Sequence, residues 1–178
     1  MLRISGGSLK NRQIFVKDSK VKPTQEVVRQ SLFNIVGVAD TVFLDLFCGS
    51  GIVGIEAISR GARFVVFVDN SFSLCSQLRV NIQGLGIEKE KYRVLCSSWD
   101  KALKVLGAEG IKFDVSFVDP FYNFQEYDLL LKALKGVMRD EGIVVLEHSS
   151  RVQVDIPDGI KLISQRQYGE TSLIFLEM

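Results

Sequence analysis

The sequence predicts an α/β fold around a mostly parallel sheet. Three observations carry that reading. Apolar runs of strand length alternate with helical patterns between residues 41 and 147. A glycine-rich turn, Asp45-Leu46-Phe47-Cys48-Gly49-Ser50-Gly51, closes the first of those runs. Two further strand-like runs, 160–167 and 171–177, end the chain with only Tyr168-Gly169-Glu170 between them, which makes an antiparallel pair rather than another βαβ unit.

In chain order, residues 2–5 and 13–17 flank Gly6-Gly7 and Lys10-Asn11 and read as a short hairpin or extended arm. Pro23-Thr24 opens a helix that places Val28, Leu32, Phe33 and Val36 on one face. Residues 41–47 are a buried strand, followed by the glycine turn and a helix over Ile52–Ser59 that stops at Gly61. The strand at 63–69 holds five apolar residues in succession, and the helix at 71–83 ends at Gly84 and Gly86. A strand at Tyr92–Cys96, a short helix at 101–106, a strand at 113–119, a helix at 127–136 and a strand at 142–147 complete the alternation. One domain over 1–178 is expected, with 1–40 as a small basic hairpin-and-helix extension and 41–178 as the core.

The 178 residues are 47% hydrophobic and 24% charged, ordinary for a soluble globular protein. No apolar run approaches the ~20 residues of a membrane helix, and the N-terminus lacks the apolar stretch of a secretory signal. Three widely spaced cysteines, with no C-x-x-C pair, argue against a disulfide framework or zinc site and for a reducing compartment. The expectation is a cytoplasmic protein with no metal and no membrane contact. Net charge is only +1, but residues 1–30 carry seven basic residues against two acidic ones, a balance of +5 that leaves −4 on the rest. Such a segment suits contact with phosphates, although a merely solvated surface has the same composition.

Gly49, Gly51 and Gly54 satisfy the G-x-G-x-x-G spacing, and Asp69 at the end of the next strand is placed for a ribose. A nicotinamide dinucleotide and S-adenosylmethionine therefore compete for this turn. A dinucleotide sets a pyrophosphate over the helix N-terminus. Asp45, just ahead of the glycines, would repel that group but suits the cationic methionine end of S-adenosylmethionine. The residues expected to hold this cofactor are Asp45, Phe47, Gly49, Ser50, Gly51, Asp69 and Asn70.

The strand at 113–119 runs into Asp119-Pro120-Phe121-Tyr122. An acidic residue, a proline and an aromatic at a strand's carboxyl end point into the same crevice as the glycine turn. That set suits methylation of an aromatic amine, whose lone pair is delocalised and poorly nucleophilic. Asp119 and the Pro120 carbonyl can accept its two N–H bonds, and Tyr122 can stack on a flipped-out base. Transfer would be direct, with no covalent enzyme intermediate and no metal.

With these motifs in place, the chain resembles the RsmD family of 16S ribosomal RNA guanine-N2 methyltransferases nearly end to end. The likeness covers Arg3-Ile4-Ser5-Gly6-Gly7 with Lys10 and Arg12, Lys22-Pro23-Thr24 leading to Arg29, and Leu32-Phe33-Asn34. It continues through Leu44 to Gly51, Gly54-Ile55-Glu56-Ala57, Ser59-Arg60-Gly61-Ala62, Asp119-Pro120-x-Tyr122, Glu147-His148 and Tyr168-Gly169-x-Thr171-x-Leu173. The resemblance implies a class I, Rossmann-like methyltransferase fold with a seven-stranded sheet ordered 3-2-1-4-5-7-6. It further implies a guanine target in the small ribosomal subunit or its assembly intermediate, ribosomal protein contacts, and an RNA-facing N-terminal segment using Arg3, Lys10, Arg12, Lys22 and Arg29. The chain departs from the pattern at Phe121, where a second proline is usual, and at Lys22, Val27 and Gln30. Ser98 stands where an acidic residue is usual, which leaves Ser98-Trp99 as the partner for adenine.

Cys48 reads as packing behind the cofactor loop rather than as a nucleophile. His148 reads as lining or structural, and Tyr168, Gly169 and Thr171 as shaping the terminal hairpin. Two other functions stay open at this level: a nicotinamide-dependent oxidoreductase, on the literal glycine match, and a catalytically inactive RNA-binding or ribosome-assembly module, on Phe121.

Overall fold

The structure, a computed structural model, describes residues 1–16 and 24–178. Strands β1 (Leu2–Arg3) and β2 (Gln13–Ile14) form a small antiparallel hairpin, followed by helix α1 (Glu26–Ile35). Then come β3 (Val42–Leu46), α2 (Ile52–Ser59), β4 (Phe64–Asp69), α3 (Phe72–Gly84), β5 (Tyr92–Cys96), α4 (Trp99–Ala108) and β6 (Phe113–Val118). Helix α5 (Tyr127–Lys135), β7 (Met138–Ser149), β8 (Lys161–Tyr168) and β9 (Thr171–Glu177) complete the chain. The expected end of the second arm strand at Lys17 and the proline at the expected helix start, Pro23, lie outside the described residues, as does Lys22.

The large sheet has the order β5-β4-β3-β6-β7-β9-β8, with β9 antiparallel to both of its neighbours. Counted from its own first strand, that is 3-2-1-4-5-7-6, the order expected of a class I methyltransferase fold. The central strands read as unbroken apolar runs because both of their faces are covered. Phe43, Val65, Phe67, Val115 and Phe117 pack into one core layer, and Leu44, Leu46, Val66, Val68 and Val118 into the other.

Several boundaries shift by one to three residues, α1 beginning at Glu26 rather than at Pro23-Thr24, and two elements depart further or for a clear reason. Strand β7 begins four residues early because Met138 already pairs with Phe113. Regular pairing resumes only at Ile143, past a charged bulge in which Glu141 takes a positive φ of 62°. Helix α4 is longer than 101–106, because Trp99 and Asp100 join its first turn.

Helix α2 sets the role of the N-terminal segment. All eight of its residues are buried, so it has no solvent face and needs a cover on both sides. One side is the sheet; the other is the hairpin, whose Ile4 and Ile14 are fully buried in the same layer as Ile55 and Ile58. Ser59 anchors it: its hydroxyl donates to the Gly6 carbonyl (2.6 Å) and accepts from Leu9 N–H (2.8 Å). The segment is thus a lid on the core rather than a free arm.

Candidate active site

The carboxyl ends of β3, β4, β5, β6 and β7 and the β8–β9 turn open onto one cleft of about 510 Å³. Size and position suit a small-molecule site at the reversal point of an open α/β sheet. The glycine turn and the Asp119 turn are neighbours there. Strands β3 and β6 are hydrogen-bonded partners, and Asp119 N–H donates to the Leu46 carbonyl (3.3 Å).

On the cofactor side, Phe47, Gly49, Asp69, Asn70, Ser98 and Trp99 line the cleft, joined by Val68, Leu74 and Ser97. Asp69 is held by the turn it faces: Gly49 N–H donates to Oδ2 (2.9 Å) and Ser71 N–H to Oδ1 (2.8 Å). A carboxylate has about four lone-pair sites, so both oxygens retain acceptor capacity for a ribose. Phe47 takes a positive φ of 63°, a strained conformation for a bulky residue, and its ring meets Phe124 edge-on at 5.6 Å.

Three expected cofactor residues lie behind this wall. Gly51 is the N-cap of α2 at φ 73°, where an added Cβ would fall 2.3 Å from Leu78 Cδ1; Ser50 is buried beside it. Asp45 is the larger correction. Alternation along β3 puts it on the same face as Phe43, beneath α2, and it is 1% exposed. Its Oδ2 accepts the Gly54 N–H (2.8 Å), doing from the strand what the glycine N-cap cannot do from the helix. Burial, and then the nearby Asp69, push its carboxyl up to about 8, with the Gly54 hydrogen bond opposing. Asp45 therefore braces the turn from beneath α2 and is not among the residues that line the cleft. It also takes a helix N-terminal N–H that a pyrophosphate would need.

On the opposite side, Asp119, Pro120 and Tyr122 all line the cleft, with Tyr122 78% and Phe121 62% exposed at its mouth. Buried Phe124 organises this turn through edge-on contacts to Phe121 (5.5 Å), Trp99 (6.2 Å) and Tyr127 (5.1 Å). Phe121 makes one of these edge-on contacts while the rest of its ring stays exposed. Tyr127 is an addition; burial and then the charge of Asp119 push its phenol up, which marks the two as close. His148, 6.4 Å from the Tyr127 ring, also lines the cleft, and burial holds its imidazole below the usual value. Glu147, Ser149, Arg151, Glu170 and Thr171 complete this side, with Gln25 from the start of α1. Arg151 pairs with Glu170, and Ser150 N–H donates to the Glu170 carbonyl (2.8 Å), tying the end of β7 to the terminal hairpin. Thr171 thus belongs to the cleft as well as to the hairpin.

Among the expected RNA contacts, Arg3, Lys10 and Arg12 are exposed, although Arg12 also donates to the Gly84 carbonyl (3.3 Å). Lys22 lies outside the described residues. Arg29 is corrected: it is 2% exposed and donates to Glu56 (3.2 Å), the Thr24 carbonyl (2.7 Å) and the Arg3 carbonyl (2.9 Å), so phosphate cannot reach it. Cys48 is buried and its thiol is pushed well up by desolvation, which makes it a poor nucleophile. No helix among the described residues is long and apolar enough to cross a membrane.

The family model described as Conserved hypothetical protein 95 matches residues 2–177. Ribosomal RNA small subunit methyltransferase D of Escherichia coli (strain K12) is 32% identical over 161 residues, covering 88% of this chain and 78% of the relative. The chain belongs to the RsmD family of methyltransferases. The relative of the same name in Haemophilus influenzae is 28% identical to it, over 96% of this chain and 91% of the relative. Among solved structures, a hypothetical protein of Thermus thermophilus, TTHA0928, superposes with a TM-score of 0.86 at 28% identity, each chain covered in full. Membership agrees with the sheet order and with the Asp119-Pro120-x-Tyr122 turn lying beside the glycine turn.

Proposed function

We propose that this RsmD-family chain transfers a methyl group from S-adenosylmethionine to the exocyclic N2 amine of a guanine in 16S ribosomal RNA. One observation carries the reading: the Asp69 and Asp119 turns face a single cleft, lined among the described residues by the carboxylic side chains of Asp69, Asp119, Glu147 and Glu170 and by Arg151, which pairs with Glu170. That charge suits a cationic donor and disfavours a pyrophosphate. Apolar Phe47, Val68, Leu74 and Trp99 fit a nucleoside base, and Asp69 its ribose hydroxyls.

Bound S-adenosylmethionine would supply a methyl on cationic sulfur, whose carbon–sulfur bond would break as the amine nitrogen takes the methyl. The chain's own part is to hold the amine. Asp119 accepts one N–H, raises the electron density on nitrogen and takes the proton released; the Pro120 carbonyl accepts the other N–H. Tyr122 stacks on the base, and Phe121 extends the aromatic rim. Arg3, Lys10 and Arg12, with Lys22, contact RNA phosphates, and ribosomal protein contacts accompany an assembled or partly assembled substrate. The namesakes in Escherichia coli and Haemophilus influenzae, named for the small subunit, support the RNA class.

The test is transfer of labelled methyl to small-subunit RNA and a nucleoside digest. N2-methylguanosine is expected; label recovered only on adenine or cytosine refutes the target. Asp119→Ala should lower kcat by about 10²–10⁴-fold while leaving S-adenosylmethionine affinity within a few fold. Equal loss of both would mean that Asp119 does not act on the amine.

A further inference from the structure

Gln25 occupies a place that helix chemistry does not explain. It is the N-cap of α1, where Ser, Thr, Asp or Asn would each stabilise the helix by about 1 kcal/mol, yet its side chain makes no capping hydrogen bond. It is exposed and lines the cleft with Tyr122, Tyr127 and Thr171. Directly behind it, a buried network fixes the start of α1. Glu56, fully buried, accepts from Arg29 Nε (3.2 Å), Arg60 Nη2 (2.8 Å) and the Ser5 hydroxyl (2.5 Å). Arg29 in turn donates to the carbonyl of Thr24 (2.7 Å), the residue before Gln25, while its own N–H donates to the Gln25 carbonyl (3.0 Å). The arginine side chain therefore holds the peptide group before the Gln25 Cα, and the first helical backbone bond holds the one after it. On the other side of α1, the Tyr168 hydroxyl donates to Ser31, coupling the helix to the hairpin that presents Glu170 and Thr171.

We infer that Gln25 is a substrate contact on the acceptor side of the cleft, and that the buried Arg29–Glu56 pair is a positioning device that seats it. The inference rests on the RNA-methylation reading for the identity of the ligand. A carboxamide is both donor and acceptor, which matches a base edge or a ribose hydroxyl better than a phosphate. The basic residue that composition assigns to RNA thus acts one step back, through a neutral neighbour.

The experiment compares wild type, Gln25→Ala, Arg29→Lys and the double variant, reading small-subunit RNA affinity by anisotropy, S-adenosylmethionine affinity by calorimetry and methyl transfer by label. Gln25→Ala should weaken RNA affinity about ten-fold, the loss of one to two hydrogen bonds, with unchanged cofactor affinity. Arg29→Lys keeps the charge beside Glu56 but loses the fork, and should weaken RNA binding by a similar factor. The double variant should be no worse than the poorer single one, because Arg29 acts through Gln25. Unchanged RNA affinity in Gln25→Ala overturns the contact, and multiplied losses in the double variant overturn the positioning role. Wild-type RNA binding without methyl transfer refutes the proposed function alone, because the affinity comparison still judges this inference.

Discussion

Asp45→Asn isolates the energetic consequence of a carboxyl buried beneath the glycine turn. Its acidity moves from an ordinary 3.8 in the unfolded chain to about 8 in the folded one. Between those values the folded chain keeps a proton that the unfolded chain has released. Stability from this group is therefore complete below about pH 4, declines as pH rises, and is lost above about pH 8, with a limiting slope of about 1.4 kcal/mol per pH unit. Asparagine retains an oxygen that can accept the Gly54 N–H and does not titrate. Urea denaturation of both proteins at about pH 5 and about pH 7 should show the wild type losing about 2–3 kcal/mol relative to Asp45→Asn over that interval. In thermal melts the same difference is about 5–8 °C for a chain of this size. Stability curves that run parallel across this range would refute both the buried placement and the bracing role.

Gly54→Ala places a Cβ 2.3 Å from Phe67 Cε1 and 2.9 Å from Asp45 Oδ2; with Phe67 fully buried, a loss of about 2–3 kcal/mol in urea denaturation is expected, and a neutral result would show that α2 can slide. Of the three thiols, Cys48 and Cys75 are buried and pushed up, Cys75 to about 12, whereas Cys96 is exposed. Native protein should therefore show one fast thiol in a disulfide-exchange assay and three only after denaturation; two or three fast thiols would contradict the packing around the cofactor turn.

The strands were legible because burial on both faces leaves an uninterrupted apolar run, as from Phe64 to Val68, and because a glycine turn has few other uses directly after one. The placement of Asp119, Pro120 and Tyr122 at the cleft was legible because residues just past parallel strands share one end of the sheet. Arg29 was not, since a charge count does not say which way a side chain faces. The cue lay elsewhere, in a helix reading Ile-Val-Gly-Ile-Glu-Ala-Ile-Ser, whose lone Glu56 has to find a cation in a dry place. Asp45 could have been placed by strict alternation with Phe43. Gln25, Tyr127, Arg151 and Glu170 reach the cleft through long-range docking of α1, α5 and the terminal hairpin, which no local pattern encodes.

The docked β1–β2 hairpin constrains how this enzyme can be cut or tagged. Deleting the first fourteen residues to remove the phosphate contacts proposed for Arg3, Lys10 and Arg12 would also bare the outer flank of α2 and rob Glu56 of its serine partner. Such a truncation is an assault on folding as well, so a drop in RNA binding would not separate the two losses; point substitutions of the exposed basic side chains would.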